Sequence, residues 1–245
     1  MKEQWKKAWK VLSWMMFGFL IAGVLCMSST PAMASEKEKA QAIVDKAKGT
    51  LADFMSDSNF SWLPSYLAGA KGVIIFPQVV KGGFFIGGSG GTGVLLVRHA
   101  MTDNWSAPAF YTLGSVTFGL QIGGEAAEVI MVATNQKAID SLLSSSVKLG
   151  GDASIAAGPI GGGAKGGVGV PAVTADFVSF ARSKGLYAGL NLEGAVLAVR
   201  DSLNEGYYGR AVRPVDIIIR KDVANPGSNE LRAAIKKAAS IKKRK

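Results

Sequence analysis

The alternation of apolar and polar positions is clearest between Ala70 and Arg98, which read AKGVIIFPQVVKGGFFIGGSGGTGVLLVR. Three apolar runs, Val73–Phe76, Phe84–Ile86 and Val94–Val97, are rich in β-branched and aromatic residues and are separated by glycines and one proline. This is the pattern of short strands joined by tight turns. Ser183–Asn191, SKGLYAGLN, repeats the theme of Lys-Gly followed by alternating bulky residues and glycine. Between the two, Phe110–Ile122 and Glu128–Ala133 read as strands, and Val173–Arg182 as a strand with a bulge. Gly185–Leu190 and Ala195–Val199 add two more. Gly150–Gly169 fits either a loop or a pair of narrow strands, and Val215–Ile219 fits either strand or helix.

Helical spacing appears at both ends. In Glu36–Met55, Ala40, Ile43, Ala47, Leu51 and Phe54 recur at three- and four-residue steps, and Asp57, Ser58 and Asn59 end the run. A short helix or turn is expected at Trp62–Leu67, and short helices at Gln136–Leu143 behind an Asn135 cap and at Asp201–Tyr208. Ser228 is expected to cap a final helix, with Glu230 near its start, whose apolar face is Leu231, Ala234, Ile235, Ala238 and Ile241. The elements together predict an α+β fold in a single domain. Its core is a curled antiparallel, glycine-rich β-sheet, or barrel-like, flanked by N- and C-terminal helices.

Charge refines the picture. The formal net charge of the 245-residue chain is +10. Four lysines (Lys2, Lys6, Lys7, Lys10) stand in the first ten residues and seven basic groups in residues 232–245. The body between is balanced, so composition does not demand a nucleic-acid-binding face. The N-terminal lysines precede an apolar run, Val11–Met27, and Pro31-Ala32-Met33-Ala34 supplies an A-x-A site, as in a secretory signal cleaved after Ala34. Two other fates stay open, retention as an anchor and lipidation at Cys26, although Gly23-Val24-Leu25 suits lipidation poorly. With Cys26 removed, the exported chain has no thiol for a disulfide or a metal. The expected organisation is a signal peptide over 1–34, a domain over 35–227, and a basic helix and tail over 228–245. The expected location is periplasmic or secreted, with peripheral membrane association.

Catalytic motifs fail on their context. Gly87-Gly88-Ser89-Gly90-Gly91 fits G-x-S-x-G, but the single histidine, His99, has no acid between it and Ser89, and a strand follows. Residues 88–93 fit G-x-G-x-x-G, yet Val94–Val97 has the branching of a strand where that fingerprint needs a helix. There is no P-loop, no calcium loop and no imidazole pair for a metal, so the sequence points to a non-enzyme without cofactor. His99 itself reads as a solvated residue of a polar surface loop, Arg98–Ala107. The lysine-rich C-terminal helix, with Lys236, Lys237, Lys242 and Lys243, suits either a solvated helix end or an anchor for anionic lipid. It lacks the interleaved aromatic residues that nucleic-acid bases stack on.

Taken together, seven blocks resemble the SYLF domain family in content and order. They are AKGVIIF (70–76), KGGFFIGGSGGTGVLLVR (81–98), WSAPAF (105–110), GLQIGGEAAEVIMV (119–132), LGGDASIAAGPIGGG (149–163), SKGLYAGLNLEG (183–194) and NEGYYG (204–209). The resemblance covers roughly residues 40–220 and implies a lipid-binding module. Eukaryotic members bind phosphoinositides, some fungal ones bind actin filaments, and bacterial members are exported proteins or lipoproteins. It implies anionic lipid or a membrane surface as partner, with Lys71, Lys81 and Lys184 as head-group contacts. Lys165 stands nearest to the basic residue that relatives carry after the GPxG block. Actin is not expected as a partner of an exported chain, nor is nucleic acid. The competing expectation is a structural or envelope-stress protein that binds a protein or polysaccharide.

Overall fold

The computed structural model describes residues 35–83, 86–118, 123–160, 174–183 and 192–241. Helix α1, Glu36–Ser56, begins at a capping box: the Ser35 hydroxyl accepts from the Glu38 N–H while the Glu38 carboxylate accepts from the Ser35 N–H. It buries Ala40, Val44, Ala47, Leu51 and Phe54 and ends at Asp57, whose side chain starts a 3-10 turn, Ser58–Phe60. Helix α2, Leu63–Gly69, follows. Strands β1, Gly72–Gly83, β2, Ile86–Val97, β3, Ala109–Phe118, and β4, Gly123–Ala133, come next.

Here the structure departs from the three short strands read between Ala70 and Arg98. There are two strands of twelve residues each, with the glycines inside them. Pro77 and Gln78 lie in a bulge in β1, where the register shifts between Ile75 and Val79 against β2 and between Phe76 and Val79 against β4. Glycine in β2 serves close backbone approach to that bulge more than turning. A Cβ on Gly91 would lie 2.3 Å from the Gln78 carbonyl oxygen, and one on Gly93 would lie 2.4 Å from that of Ile75.

The remaining elements are helix α3, Gln136–Leu142, strands β5, Ser146–Lys148, β6, Ile155–Ala157, β7, Phe177–Ser183, and β8, Val196–Val199, and helix α4, Asp201–Tyr208. The ambiguous stretch after residue 215 is a π-helical turn, Asp216–Arg220. A 3-10 turn, Pro226–Ser228, leads into helix α5, Asn229–Ser240. Asn135 caps α3 as the sequence implied, accepting from the Ala138 N–H at 2.9 Å. Ser228 stands at the start of α5 but does not cap it; its hydroxyl donates to the Asn225 carbonyl oxygen.

The eight strands form one sheet in the order β5-β8-β3-β2-β1-β4-β7-β6. All pairs are antiparallel except β6–β7, which is parallel, so the sheet is mixed. The edge strands β5 and β6 are neighbours in sequence, joined through a turn in which Leu149 bridges Ala153. A six-residue connection between opposite edges requires the sheet to curl into a half-barrel. The inner face gathers apolar side chains from all eight strands, among them Ile74, Leu95, Tyr111, Met131, Phe177 and Leu197, under α3 and the π turn. The outer face packs Val73, Ile75, Leu96, Phe110, Ile130 and Phe180 against α1, α2, α4 and α5. Both cores lie wholly between residues 40 and 238, so the unit Ser35–Lys245 is one α+β domain with helices at both ends.

Candidate functional site: a basic loop face

Strand β2 ends at Val97, and Arg98 then bridges Trp105, closing a tight loop over residues 99–104. The His99 N–H donates to the Asn104 carbonyl at 2.8 Å, and the Thr102 and Asp103 N–H groups return to the His99 carbonyl at 3.3 and 3.0 Å. The chain turns through Asp103 at φ +54°, a left-handed conformation that favours glycine. Arg98 fixes the loop from one side, donating Nε to Asp103 at 3.1 Å and Nη1 to the Ala68 carbonyl at the end of α2 at 2.6 Å. Trp105, 1% exposed, fixes it from beneath.

Helix α5 brings two more cations to this loop. Arg232 Nε donates to the Trp105 carbonyl at 2.8 Å, and Lys236 Nζ donates to Asn104 Oδ1 at 2.8 Å. They sit four residues apart on one helix face. Lys71 joins from the start of β1, its carbonyl accepting from the Arg98 N–H at 2.8 Å. His99 is half-buried, and that burial, with Lys221 and Arg232 close by, holds its imidazole below the ordinary histidine range. It is therefore not the solvated residue the sequence suggested. Lys221 reaches this region because it ends the π turn at φ +59°. The loop's one carboxylate, Asp103, is already engaged by Arg98. Met101 stands at the tip, 98% exposed.

The sequence-derived lysines thus fall in different places. Lys236 bonds to the loop at Asn104, Lys71 is exposed with its carbonyl accepting from the Arg98 N–H, and Lys237 lies exposed one position round α5. Lys81 lies ten residues along β1 from Lys71, roughly 30 Å away at the rise of a strand. It stands in a row across four strands, Ser115–Ser89–Lys81–Glu125, where Ser89 Oγ and Ser115 Oγ are 2.7 Å apart. Lys165, Lys184, Lys242 and Lys243 lie outside the described residues, as does segment 1–34. Arg98, His99, Lys221 and Arg232 were not singled out as contacts from the sequence. Arg98 closes one of the quoted blocks, but Lys221 and Arg232 carry no local signal, because only the packing of α5 and the π turn brings them here.

A second charged cluster stabilises the fold. Arg182 of β7 donates to Glu128 at 2.6 Å and to Asp53 of α1 at 2.8 Å, while Thr50 donates to Glu128 at 2.9 Å. The cluster clamps α1 over the strand pair β4–β7, with both carboxylates bonded to the one shared guanidinium. Among the described residues, no helix is long and apolar enough to cross a membrane, and no group of three or more His, Cys, Asp or Glu is arranged to hold a metal ion.

The chain belongs to the Ysc84 (SYLF) family, described as "Las17-binding protein actin regulator", whose profile matches residues 114–238. An SH3 domain-containing protein of Schizosaccharomyces pombe is 38% identical over 147 residues, covering 59% of this chain and 34% of the relative. The SH3 domain-containing YSC84-like protein 1 of Homo sapiens is 31% identical over 165 residues, 67% of this chain and 47% of that protein. LAS seventeen-binding protein 3 of Saccharomyces cerevisiae is 33% identical over 149 residues, 60% of this chain and 32% of the relative. The chain therefore spans about a third to a half of the length of these relatives. No solved structure matches it.

Proposed function

We propose that this chain is a non-catalytic binding protein for anionic phospholipid, acting at the cell envelope after export directed by its N-terminal segment. The observation that carries this reading is the loop face. Arg98, Arg232 and Lys236 are bonded into the loop and its anchors, Lys221 lies close to His99, the Lys71 backbone is bonded to Arg98, and the loop's only carboxylate is paired. Lysine ammonium groups and the Arg232 guanidinium suit phosphate oxygens, and Arg232 and Lys236 are held in place by the loop before a ligand arrives. Membership of a family whose named relatives are binding proteins is consistent with this role.

Flotation of the Ser35–Lys245 unit on vesicles tests the reading. Phosphatidylcholine vesicles with and without phosphatidylglycerol are compared, at low and at physiological salt. Each lysine near an anionic surface contributes about 1 kcal/mol. Replacing Lys71, Lys221 and Lys236 by Gln is therefore expected to weaken partition about a hundredfold and to flatten its salt dependence. Equal binding to neutral vesicles, or a triple variant that binds as the parent does, contradicts it and favours a protein or polysaccharide partner.

A further inference from the structure

The loop that gathers the cations also carries the most exposed large apolar side chain among the described residues. Met101 is 98% exposed, against 68% for Val116 and 53% for Ile219. It stands between His99 and Thr102-Asp103-Asn104, where a loop tip in water gains nothing from an unbranched thioether. Methionine is favoured where an apolar surface must adapt to a soft partner. A soluble anion would use the cations and leave Met101 in water, whereas a bilayer offers phosphates and hydrocarbon a few ångströms apart.

We propose that the partner of this face is the bilayer itself, and that the 98–105 loop is a wedge carrying Met101 past the phosphates while Lys71, Lys221 and Lys236 stay among them. This rests on the lipid reading above and specifies how the face engages. The loop is already rigid. The Arg98–Trp105 bridge, the His99–Asn104 hydrogen bond, the two returns to the His99 carbonyl and the Arg98 contacts with Ala68 and Asp103 hold it before any membrane is met. Little conformational freedom is lost on insertion, so most of the apolar gain appears as affinity. Only the tip enters. Asp103 and Asn104, each tied to a neighbouring cation, remain at head-group level, where water and phosphate satisfy the loop's remaining polar groups. Removing one methionine from an apolar contact corresponds to a loss of roughly ten- to a hundredfold in partition.

Three single variants of the Ser35–Lys245 unit test the wedge on vesicles of phosphatidylcholine and phosphatidylglycerol. Met101→Ser is expected to lower partition at least tenfold while the slope of binding against salt stays that of the parent. Met101→Leu is expected to bind as the parent does. Met101→Trp is expected to shift its emission to the blue when vesicles are added, while glycerol 1-phosphate in solution produces no shift. Because Met101 touches neither core, all three are expected to melt like the parent. Unchanged partition of Met101→Ser, with no blue shift for Met101→Trp, overturns the wedge and leaves charge-driven binding standing. Glycerol 1-phosphate that displaces the parent from vesicles also overturns it, since the ligand is then a phosphate group and not a membrane. A parent chain that fails to float overturns this inference and the lipid reading together.

Discussion

Glycines that look alike in the sequence have opposite roles at the residue scale. A Cβ on Gly93 would sit 2.4 Å from the Ile75 carbonyl oxygen and 2.6 Å from Phe76, beside the bulge in β1. Backbone cannot yield there without parting two strands. Around Gly114, in the neighbouring β3, nothing lies within 4 Å of that position. Gly93→Ala is therefore expected to cost about 1–3 kcal/mol through overpacking. Gly114→Ala is expected to stabilise the chain by about 0.5 kcal/mol, because alanine loses less backbone freedom on folding than glycine does. Urea unfolding of the two variants checks the contrast, and equal effects would contradict it. The same contrast explains what the sequence hid. Glycines between apolar runs read as turns, and only the partner strand shows that Gly91 and Gly93 face a bulge. The strand-forming runs Val73–Phe76 and Val94–Val97 were legible from their branching; the glycine-rich lengths joining them into twelve-residue strands were not.

At the scale of elements, Asp176 shows how a few bonds set the order of strands. Buried just before β7, its carboxylate accepts from Asn135 and Lys137 at the start of α3, and from both the N–H and the hydroxyl of Ser154 before β6. One side chain thus joins a helix start to the parallel pair β6–β7. Burial works to raise its pKa, but the Ser154 N–H, the Asn135 and Ser154 side chains and the Lys137 ammonium outweigh it and hold the carboxyl well below the usual range. As pH falls, the unfolded chain takes up this proton first, near pH 4, so the stabilisation is present above that value and declines below it. Asp176→Asn is expected to cost roughly 3 kcal/mol at pH 7 and to show a flatter loss of stability between pH 4 and pH 2 than the parent. Unfolding at pH 7 and pH 3 measures both. The Asn135 cap was legible from local sequence, as was the Asp201–Tyr208 helix. Asp176 was not, because its partners lie 22 to 41 residues away and acquire meaning only when the sheet curls.

At the scale of the whole molecule, helix α5 belongs to both the fold and the cationic face, which decides how its function can be dissected. Leu231, Ile235 and Ala238 are buried in the outer core, while Arg232 and Lys236 on another side of the same helix reach the loop. The lysine pattern of the helix was legible in the sequence. That its apolar face completes a core was less so, since that face is thin and its cover, α1 and α2, lies far away in the chain. Losing a buried leucine or isoleucine costs about 2–5 kcal/mol, and a domain has only about 5–15 kcal/mol to lose. A chain ending at Gly227 is therefore expected to lose its cooperative thermal transition, and any loss of vesicle binding by it would report unfolding. Replacing Lys236, Lys237, Lys242 and Lys243 by Gln removes charge without removing packing. That variant is expected to melt within about 3 °C of the parent and to lose only the salt-sensitive part of its affinity. Circular dichroism of the two chains separates the contributions. A truncated chain that still melts cooperatively near the parent's temperature would show that α5 is dispensable to the core, and truncation would then become a fair probe of the face.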